Sequence, residues 1–449
     1  MTNIDPTKDP IIKSLIGLSI PMIIESNLQT IFNLVDTFFV SKISYSAIGA
    51  LVSSSILMML ISAFTIGISI ASSIFFTQSY GAKNFKRANT VYSNALIVMI
   101  FFSLASMLLY PFLDNILSLL GLKDSTLVFA KEFLSISILG LPISFVFGLN
   151  SSTLKSMSLP HKTLLIMLIA TIINILLDPL LIFVLKMGVK GAALATIFSM
   201  FVGILLQVSV ILKTKLRFEL HINLPLIKQL LSKSIFASFH LIVRILSMLL
   251  IIKIIAIQSQ TAISSYSIVT RIYQILLFMI FGISNAAAVI VGQNIGAKNW
   301  PFVEEGVKKS ILFGSAFIVF LDILLFVFSG IIIKVFTSDK TCFEIAKNAF
   351  LYYALSYPFF AAGSIANRVT MACGNTFLPS IMNFFSLFVF QLPLAYFLSM
   401  HIKLNGIWLS ILLANILNFL LNMAILKYNL SKLSINFKFL KMFTGQKSV

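Results

Sequence analysis

The sequence predicts an all-α polytopic membrane protein, with twelve transmembrane helices in two six-helix lobes related by pseudo-twofold symmetry. Composition and an internal repeat together predict this class. Hydrophobic residues make up 59% of the 449 positions, charged residues only 10%, and the mean hydropathy is +1.02. Soluble globular proteins carry far more charge, so we expect the chain to lie in a lipid bilayer.

Apolar runs of roughly 20 residues or more, long enough to cross a bilayer, recur along the whole chain. They predict twelve spans, near residues 14–40, 48–78, 91–117, 126–155, 162–185, 189–213, 232–257, 263–292, 307–335, 343–371, 377–400 and 405–427. The polar residues before the first span are too acidic for a cleaved signal peptide, so we expect that span to be retained.

Basic residues predict the topology. An even number of spans places both termini on one side, and most Lys and Arg outside the spans fall on that side. This bias predicts a multi-pass protein of the cell (inner) membrane with both termini cytoplasmic. Topology and attraction to anionic lipid also explain the net charge of +19 without any role for nucleic acid. The two cysteines show neither a disulfide framework nor zinc-like spacing.

The chain contains an internal repeat with an offset of 215 residues. GAKN occurs at 81–84 and again at 296–299, and Gly191 in KGAALAT corresponds to Gly406 in NGIWLSI. At the same offset, SIP at 19–21 corresponds to SIF at 234–236. Since each half holds six spans, we expect two lobes in parallel orientation, residues 1–218 and 219–449, with the substrate cavity between them.

The first span carries an acid, Asp36, within the apolar run IFNLVDTFFV. A charge in a bilayer costs several kcal/mol, so it normally faces a protein-lined cavity and serves ion, proton or substrate movement. Glu25 and Gln29 lie within roughly 20° of Asp36 around the helix axis, and Asn33 within roughly 60°. We assign this polar stripe to the substrate cavity. The alternative is a buried hydrogen-bond network between helices, without a transport role.

The fifth span carries a second acid, Asp178, in NILLDP. Asn174 stands one turn before it, and Pro179 frees a backbone carbonyl beside it. Oxygen ligands of this kind suit a small cation, and a carboxyl group removed from water can also carry a proton. Thr196 on the sixth span can add a hydroxyl. Both Na⁺ and H⁺ remain open at this stage.

The second half lacks both acids and carries basic groups instead. At the shared offset, Ile251 and Pro393 replace the two acids. His240 and Arg244 occupy the positions of Glu25 and Gln29, where they can counterbalance the acids or bind an anionic group of a substrate. The alternative is that Arg244 snorkels to the membrane surface or pairs with Asp322 on the ninth span. We expect Asp322 to form a structural ion pair.

The motifs LSIPMII, QTIFNLVDTFFVS, GAKN, NILLDP and KGAALAT resemble those of the multidrug and toxic compound extrusion (MATE) transporters, most closely the DinF-like branch. The resemblance covers the whole chain. It implies the MATE/MOP-type fold, a V-shaped pair of six-helix lobes, and efflux of organic, often cationic compounds in exchange for protons or sodium ions.

Residue by residue, Asp36, Asn174, Asp178 and Thr196 match the positions that form the first-lobe cation site of that branch. Phe32, which we place in the substrate cavity, stands where a tyrosine is often found, so one hydroxyl is missing. The second-lobe acids of the NorM-like branch have no evident counterpart, since FFAAGSIANR offers only small residues there.

The sequence therefore predicts a secondary active antiporter that exports amphipathic organic compounds by alternating access. We expect no enzyme activity or catalytic residue, no cofactor beyond H⁺ or Na⁺, and a monomer whose partners are small organic substrates and the bilayer. No pore-filter, nucleotide-binding or metal-ligand motif favours a channel or an enzyme. The alternative is a flippase for a lipid or a lipid-linked oligosaccharide, in which Arg244, His240 and Arg271 would hold a phosphate.

Overall fold

A computed structural model describes residues 4–119, 121–219 and 221–433, and nearly all of these residues are helical. The helices are α1 Ile11–Ser41, α2 Tyr45–Gly81, α3 Phe85–Met107, α4 Leu113–Leu119, α5 Asp124–Leu139, α6 Leu141–Ser156, α7 Pro160–Pro179, α8 Val189–Leu212, α9 Leu224–Gln258, α10 Gln260–Gly296, α11 Trp300–Val327, α12 Ser329–Phe336, α13 Lys340–Ala372, α14 Phe377–Phe384 and α15 Leu392–Lys432. Short π-helical turns continue α7 over Leu180–Val184 and join α14 to α15 over Phe385–Gln391.

Two breaks explain how these helices make twelve spans. Ten stretches are long and apolar enough to cross a membrane, and α5 with α6 form an eleventh that bends by 56°. The last stretch, Phe377–Lys432, would be about 84 Å long as one helix, against about 30 Å for the bilayer core. Non-helical backbone at Ile402 and Lys403 divides it into two arms, each longer than a span requires. The part of the chain that the structure describes thus contains twelve candidate spans.

The sequence repeat reappears in backbone geometry. Ser44 and Ser259 have nearly the same extended conformation, and each side chain accepts a hydrogen bond from the backbone N–H three residues on, which begins α2 and α10. Further on, Lys83 and Lys298 both adopt positive φ, 55° and 56°, after those helices end. The two halves are therefore built from the same turns at an offset of 215 residues.

Gly191 and Gly406 are a further pair at the same offset, and each packs directly against backbone of the preceding helical segment. A Cβ at Gly191 would lie 2.8 Å from the carbonyl carbon of Leu181, and a Cβ at Gly406 would lie 2.5 Å from that of Leu398. Because only hydrogen fits there, each helix can return tightly along the one before it.

Contacts group the chain into two compact units. Among the described residues, the first unit contains Ile24–Ser238, and the second contains Ile4–Ile23 and residues 239–433. The two divisions, after Ile23 and after Ser238, are themselves 215 residues apart. The beginning of α1 therefore belongs to the second unit, and the beginning of α9 belongs to the first unit. The lobes 1–218 and 219–449 are a division of the sequence by its repeat, and that boundary stays a prediction.

Two glycines at equivalent positions accommodate these helix beginnings. In the first unit, a Cβ at Gly67 of α2 would lie 2.7 Å from the carbonyl oxygen of Ser234 on α9. In the second unit, a Cβ at Gly282 of α10 would lie 2.9 Å from the backbone nitrogen of Ile23 on α1. The absence of a side chain lets the helix backbones approach closely, as is common in membrane helix packing.

The segment between α8 and α9 is fixed to α3. The Asn89 side chain accepts from the backbone N–H of Arg217 at 3.0 Å and donates to the Glu219 carboxylate at 2.8 Å. Farther along α3, Ser93 and Asn94 accept from the backbone N–H groups of Glu219 and Asn223. These bonds explain why the first unit continues beyond residue 218.

Candidate functional site

Two buried acids of the first unit share one amide. Asn174 Nδ2 donates to Asp36 Oδ1 at 3.1 Å and to Asp178 Oδ1 at 3.4 Å, and Thr196 Oγ1 donates to Asp36 Oδ2 at 2.9 Å. Asn174 and Asp178 are fully buried, and Asp36 is 7% exposed. The four residues that the sequence grouped as a cation site therefore meet at one point, contributed by α1, α7 and α8.

The end of α7 positions this cluster. Asn174 and Asp178 lie one turn apart on the same face of the helix. Pro179 follows directly and cannot donate a backbone hydrogen bond, so the ladder is interrupted there. A π-helical turn, Leu180–Val184, continues the chain. Such turns occur frequently at functional sites, because the widened backbone re-aims neighbouring side chains.

The charges in the cluster are not balanced by the protein. Among the described residues, no ion pair reaches Asp36 or Asp178. Both oxygens of Asp36 accept a hydrogen bond, whereas Asp178 Oδ2 and Asn174 Oδ1 are buried without a hydrogen-bond partner. Two adjacent buried carboxylates that are both charged cost considerable free energy. A proton on one of them, or a cation bound between them, lowers that cost. A proton can bind at Asp178 Oδ2, and a cation can be coordinated by Asp178 Oδ2 together with Asn174 Oδ1.

Glu25 lies in a different environment from Asp36, although both belong to the predicted polar stripe. Its carboxylate pairs with Lys155 Nζ at 3.0 Å and accepts from Thr163 Oγ1 at 2.8 Å. This contact joins α1 to α6 and α7 within the first unit. Lys155 and Thr163 were missed by the sequence reasoning, since each lies more than 100 positions from Glu25 and no local pattern links them.

The other residues of this polar stripe, and Phe32 beside them, differ in how deeply they are buried. Phe32 is 1% exposed and packs with Phe76, Tyr92 and Phe147 in an apolar cluster of the first unit. Gln29 is half-buried and Asn33 is exposed. Their membership in a substrate cavity stays a prediction.

The predicted basic residues of the second unit lie on α9. The Arg244 guanidinium stacks on Phe360 at 4.6 Å and on Phe281 at 5.5 Å. The backbone carbonyl of His240 accepts a hydrogen bond from Asn383 Nδ2 at 3.2 Å. The Nδ1 atom of the His240 ring is buried without a hydrogen-bond partner.

Asp322 makes a hydrogen bond rather than an ion pair. It is 3% exposed and accepts from Tyr273 Oη at 2.9 Å, and Tyr357 Oη donates to the Tyr273 carbonyl at 3.2 Å. Within the described residues, it forms no ion pair with Arg244. Tyr273 was not predicted, because its hydroxyl reaches Asp322 from another helix.

No group of three or more His, Cys, Asp or Glu side chains in the described ranges is arranged to hold a metal ion. Twelve candidate spans, a repeated half and buried acids between helices define the class of protein as a polytopic membrane transporter.

The comparisons with known proteins agree with that class. The MatE family model matches residues 21–180 and 237–397, once in each half of the repeat. The chain therefore belongs to the MatE family. Members of this family are transporters, so the prediction that the protein is not an enzyme is confirmed.

Curated relatives match over nearly their full length. The probable multidrug resistance protein YoeA of Bacillus subtilis (strain 168) is 25% identical over 420 residues, which cover 90% of this chain and 91% of YoeA. The probable multidrug resistance protein NorM of Thermotoga maritima is 26% identical over 414 residues, 89% of each chain.

A solved structure confirms the fold class. The outward-facing conformation of a multidrug resistance MATE family transporter of the MOP superfamily superposes with a TM-score of 0.89 at 20% identity, covering 97% of this chain and 99% of that one. The predicted twelve-helix MATE fold is thus confirmed. The DinF-like branch stays a prediction.

Proposed function

We propose that the protein is a secondary active antiporter that exports amphipathic, often cationic, organic compounds in exchange for H⁺ or Na⁺ by alternating access. The observation that carries the proposal is the buried pair Asp36 and Asp178, held by the single amide of Asn174. The multidrug names of the relatives support the substrate class.

The pair couples transport through its charge. With neither proton nor cation bound, it holds uncompensated negative charge, which attracts an organic cation and is costly in a bilayer. Binding of a proton or Na⁺ compensates one of the two negative charges and so weakens the attraction. A site that alternates between the two states as it faces each side of the membrane exchanges the ion for the substrate.

Of the two coupling ions, we favour the proton. Asp36 already accepts two hydrogen bonds, while Asp178 Oδ2 accepts none. A proton on Asp178 Oδ2 leaves the pair with a single negative charge, on Asp36, without moving a side chain. A sodium ion needs several oxygen ligands at once, and the amide nitrogen of Asn174 occupies the space between the acids.

The proposal includes a placement in the cell (inner) membrane as a monomer with both termini cytoplasmic. The bias of basic residues supports this orientation. Protease accessibility of tags at either terminus in right-side-out and inverted vesicles tests it.

Reconstituted proteoliposomes test the exchange. Ethidium, a fluorescent organic cation, is measured under an imposed pH gradient, an imposed sodium gradient, or neither, with wild-type protein and with Asp36→Asn. We expect ethidium movement driven by the pH gradient in the wild type only. Movement driven by sodium alone reassigns the ion, and movement that ignores both gradients contradicts antiport and favours the flippase alternative.

A further inference from the structure

The second unit contains an unusual concentration of unmatched positive charge. Arg244 on α9 makes no hydrogen bond among the described residues, and Arg368 on α13 makes one, from Nε to Asn285 Oδ1 at 2.9 Å. Within these ranges, no carboxylate pairs with either guanidinium. Arginine stays charged in proteins and has five N–H donors, so nine of the ten donors of this pair have no acceptor among the described residues.

The two guanidiniums converge on one stretch of α10. Arg244 reaches it at Phe281 and Arg368 reaches it at Asn285, four residues later. Residues four apart lie on the same face of a helix, about 6 Å from each other. The guanidiniums from α9 and α13 therefore reach the same face of α10, about one helical turn apart.

Neighbouring groups add polarity but no negative charge. A ladder of amides runs from Asn367, next to Arg368, through Asn422 and Asn418 to Asn383, which donates to the His240 carbonyl. The one acid embedded mid-helix among the described spans of this unit, Asp322, is bound to Tyr273. Cation–π stacking returns less free energy than a guanidinium loses on leaving water.

We infer that Arg244 and Arg368, with Asn285 and the rings of Phe281 and Phe360, form a binding site for the phosphate of a flat, amphipathic organic compound. A pair of arginines matches the double negative charge and the oxygen geometry of a phosphate monoester. The two phenylalanine rings beside Arg244 supply an apolar surface for the rest of the molecule. The inference rests on the proposed function, because it gives the exporter a second, phosphate-bearing class of substrate, bound in the second unit and separate from the organic cations attracted by the acids.

Riboflavin and flavin mononucleotide provide a matched pair of probes, since they share the ring system and differ by one phosphate. Their binding to the purified full-length protein is measured by flavin fluorescence at low and high salt, without any ion gradient. We expect flavin mononucleotide to bind at least tenfold more tightly at low salt. Equal affinities for the two flavins overturn the inference.

Arginine variants locate the effect. Arg244→Gln and Arg368→Gln should each remove most of the preference for the phosphate. Lys253→Gln is the control, because Lys253 is exposed and lies nine residues, about 14 Å, beyond Arg244 on α9. A loss in Lys253→Gln as large as in Arg244→Gln attributes binding to overall charge and contradicts the site. An elution profile like that of the wild type in size exclusion shows that each variant is folded.

A competition arm identifies the source of the phosphate. Nanodiscs of phosphatidylglycerol and of phosphatidylcholine are compared as competitors of flavin mononucleotide. Competition by phosphatidylglycerol that disappears in Arg244→Gln supports the same site with a lipid phosphate as its ligand, and no competition supports a soluble compound. Failure of these binding tests leaves ethidium exchange and its dependence on Asp36 untouched, so the two proposals fail separately.

Discussion

At the scale of single residues, the exchange depends on the charge of Asp36. Asp36→Asn keeps the shape of the side chain and removes the charge, so the fold should survive. Coupled ethidium efflux should fall by roughly 5- to 150-fold, the range for a coupling of 1–3 kcal/mol. Initial rates in proteoliposomes at matched protein content provide the measurement. Wild-type rates in Asp36→Asn would favour a purely structural hydrogen-bond network.

Asp178 and Asp322 provide a ranking test. Both are buried acids, but Asp178 Oδ2 is a fully buried oxygen without a hydrogen-bond partner, whereas Asp322 is held through Oδ1 by Tyr273 Oη. In Asp322→Asn, the amide oxygen still accepts from Tyr273 Oη, so the local structure is preserved. Efflux should therefore fall less in Asp322→Asn than in Asp178→Asn at equal expression. The reverse order would move the coupling site to the second unit.

Thr196 tests the hydrogen bonds around Asp36. Thr196→Val has nearly the same shape but leaves Asp36 Oδ2 without its donor at 2.9 Å. An unsatisfied buried group of this kind costs about 1–3 kcal/mol, so coupled efflux should drop by about tenfold. Thr196→Ser keeps the hydroxyl and should stay near the wild-type rate. Equal losses in both variants would show that packing, not the hydroxyl, matters at this position.

The site was predictable where its residues are local in sequence. Asn174 and Asp178 are one turn apart, and an acid within an apolar run is conspicuous, so both could be identified from spacing and hydropathy. The partners that come from distant helices could not. Lys155 binds Glu25 across 130 positions, and Arg368 meets Asn285 across 83. A single sequence carries no periodic signal for such pairs.

At the scale of helices, the sequence predicted the spans better than their breaks. Hydropathy gave twelve spans because apolar length is a local property. It did not give the 56° bend of the fourth predicted span, which occurs at the Gly140 junction before Pro142. It also did not reveal that α1 divides after Ile23 between the two units. That division depends on which helix packs against which, through glycines such as Gly282.

Gly282 is expected to be a point of low tolerance. In Gly282→Ala the new Cβ would lie 2.9 Å from the Ile23 nitrogen and 3.1 Å from its Cα, so backbone must move. Overpacking of this kind costs about 1–3 kcal/mol. The thermal unfolding midpoint of the purified protein should fall, and it should fall similarly in Gly67→Ala, the equivalent position. Gly330→Ala is the control, since nothing lies within 4 Å of its Cβ. An unchanged midpoint in Gly282→Ala would contradict close packing there.

At the scale of the whole molecule, the two units share their turns and differ in their charge. The repeat duplicates the caps at Ser44 and Ser259, so both halves fold by the same local rules. The first unit buries two acids, and the second holds two arginines without carboxylate partners in the described ranges. Duplication therefore explains the fold, and divergence at the buried polar positions gives each unit its own chemistry.

The exchange scheme predicts that the coupling ion and an organic cation bind antagonistically. A proton or Na⁺ on the Asp36 and Asp178 pair reduces the negative charge that attracts the organic cation. Pro21 gives the first helix a place to bend when that charge is reduced. By linkage, if a bound cation weakens the binding of the substrate, then the bound substrate weakens the binding of the cation by the same factor.

Ethidium affinity of the purified protein should therefore fall as the pH is lowered through the titration of the pair, or as sodium is raised at fixed ionic strength. The pair carries its full negative charge only at the higher pH, so ethidium should bind more tightly there than at low pH. Asp36→Asn should lose most of this dependence, whereas Asp322→Asn should keep it. Fluorescence titrations at several pH values measure the effect directly. A wild-type affinity that responds to neither ion would exclude exchange at this pair, because a site that does not distinguish the two ligands cannot couple their movement.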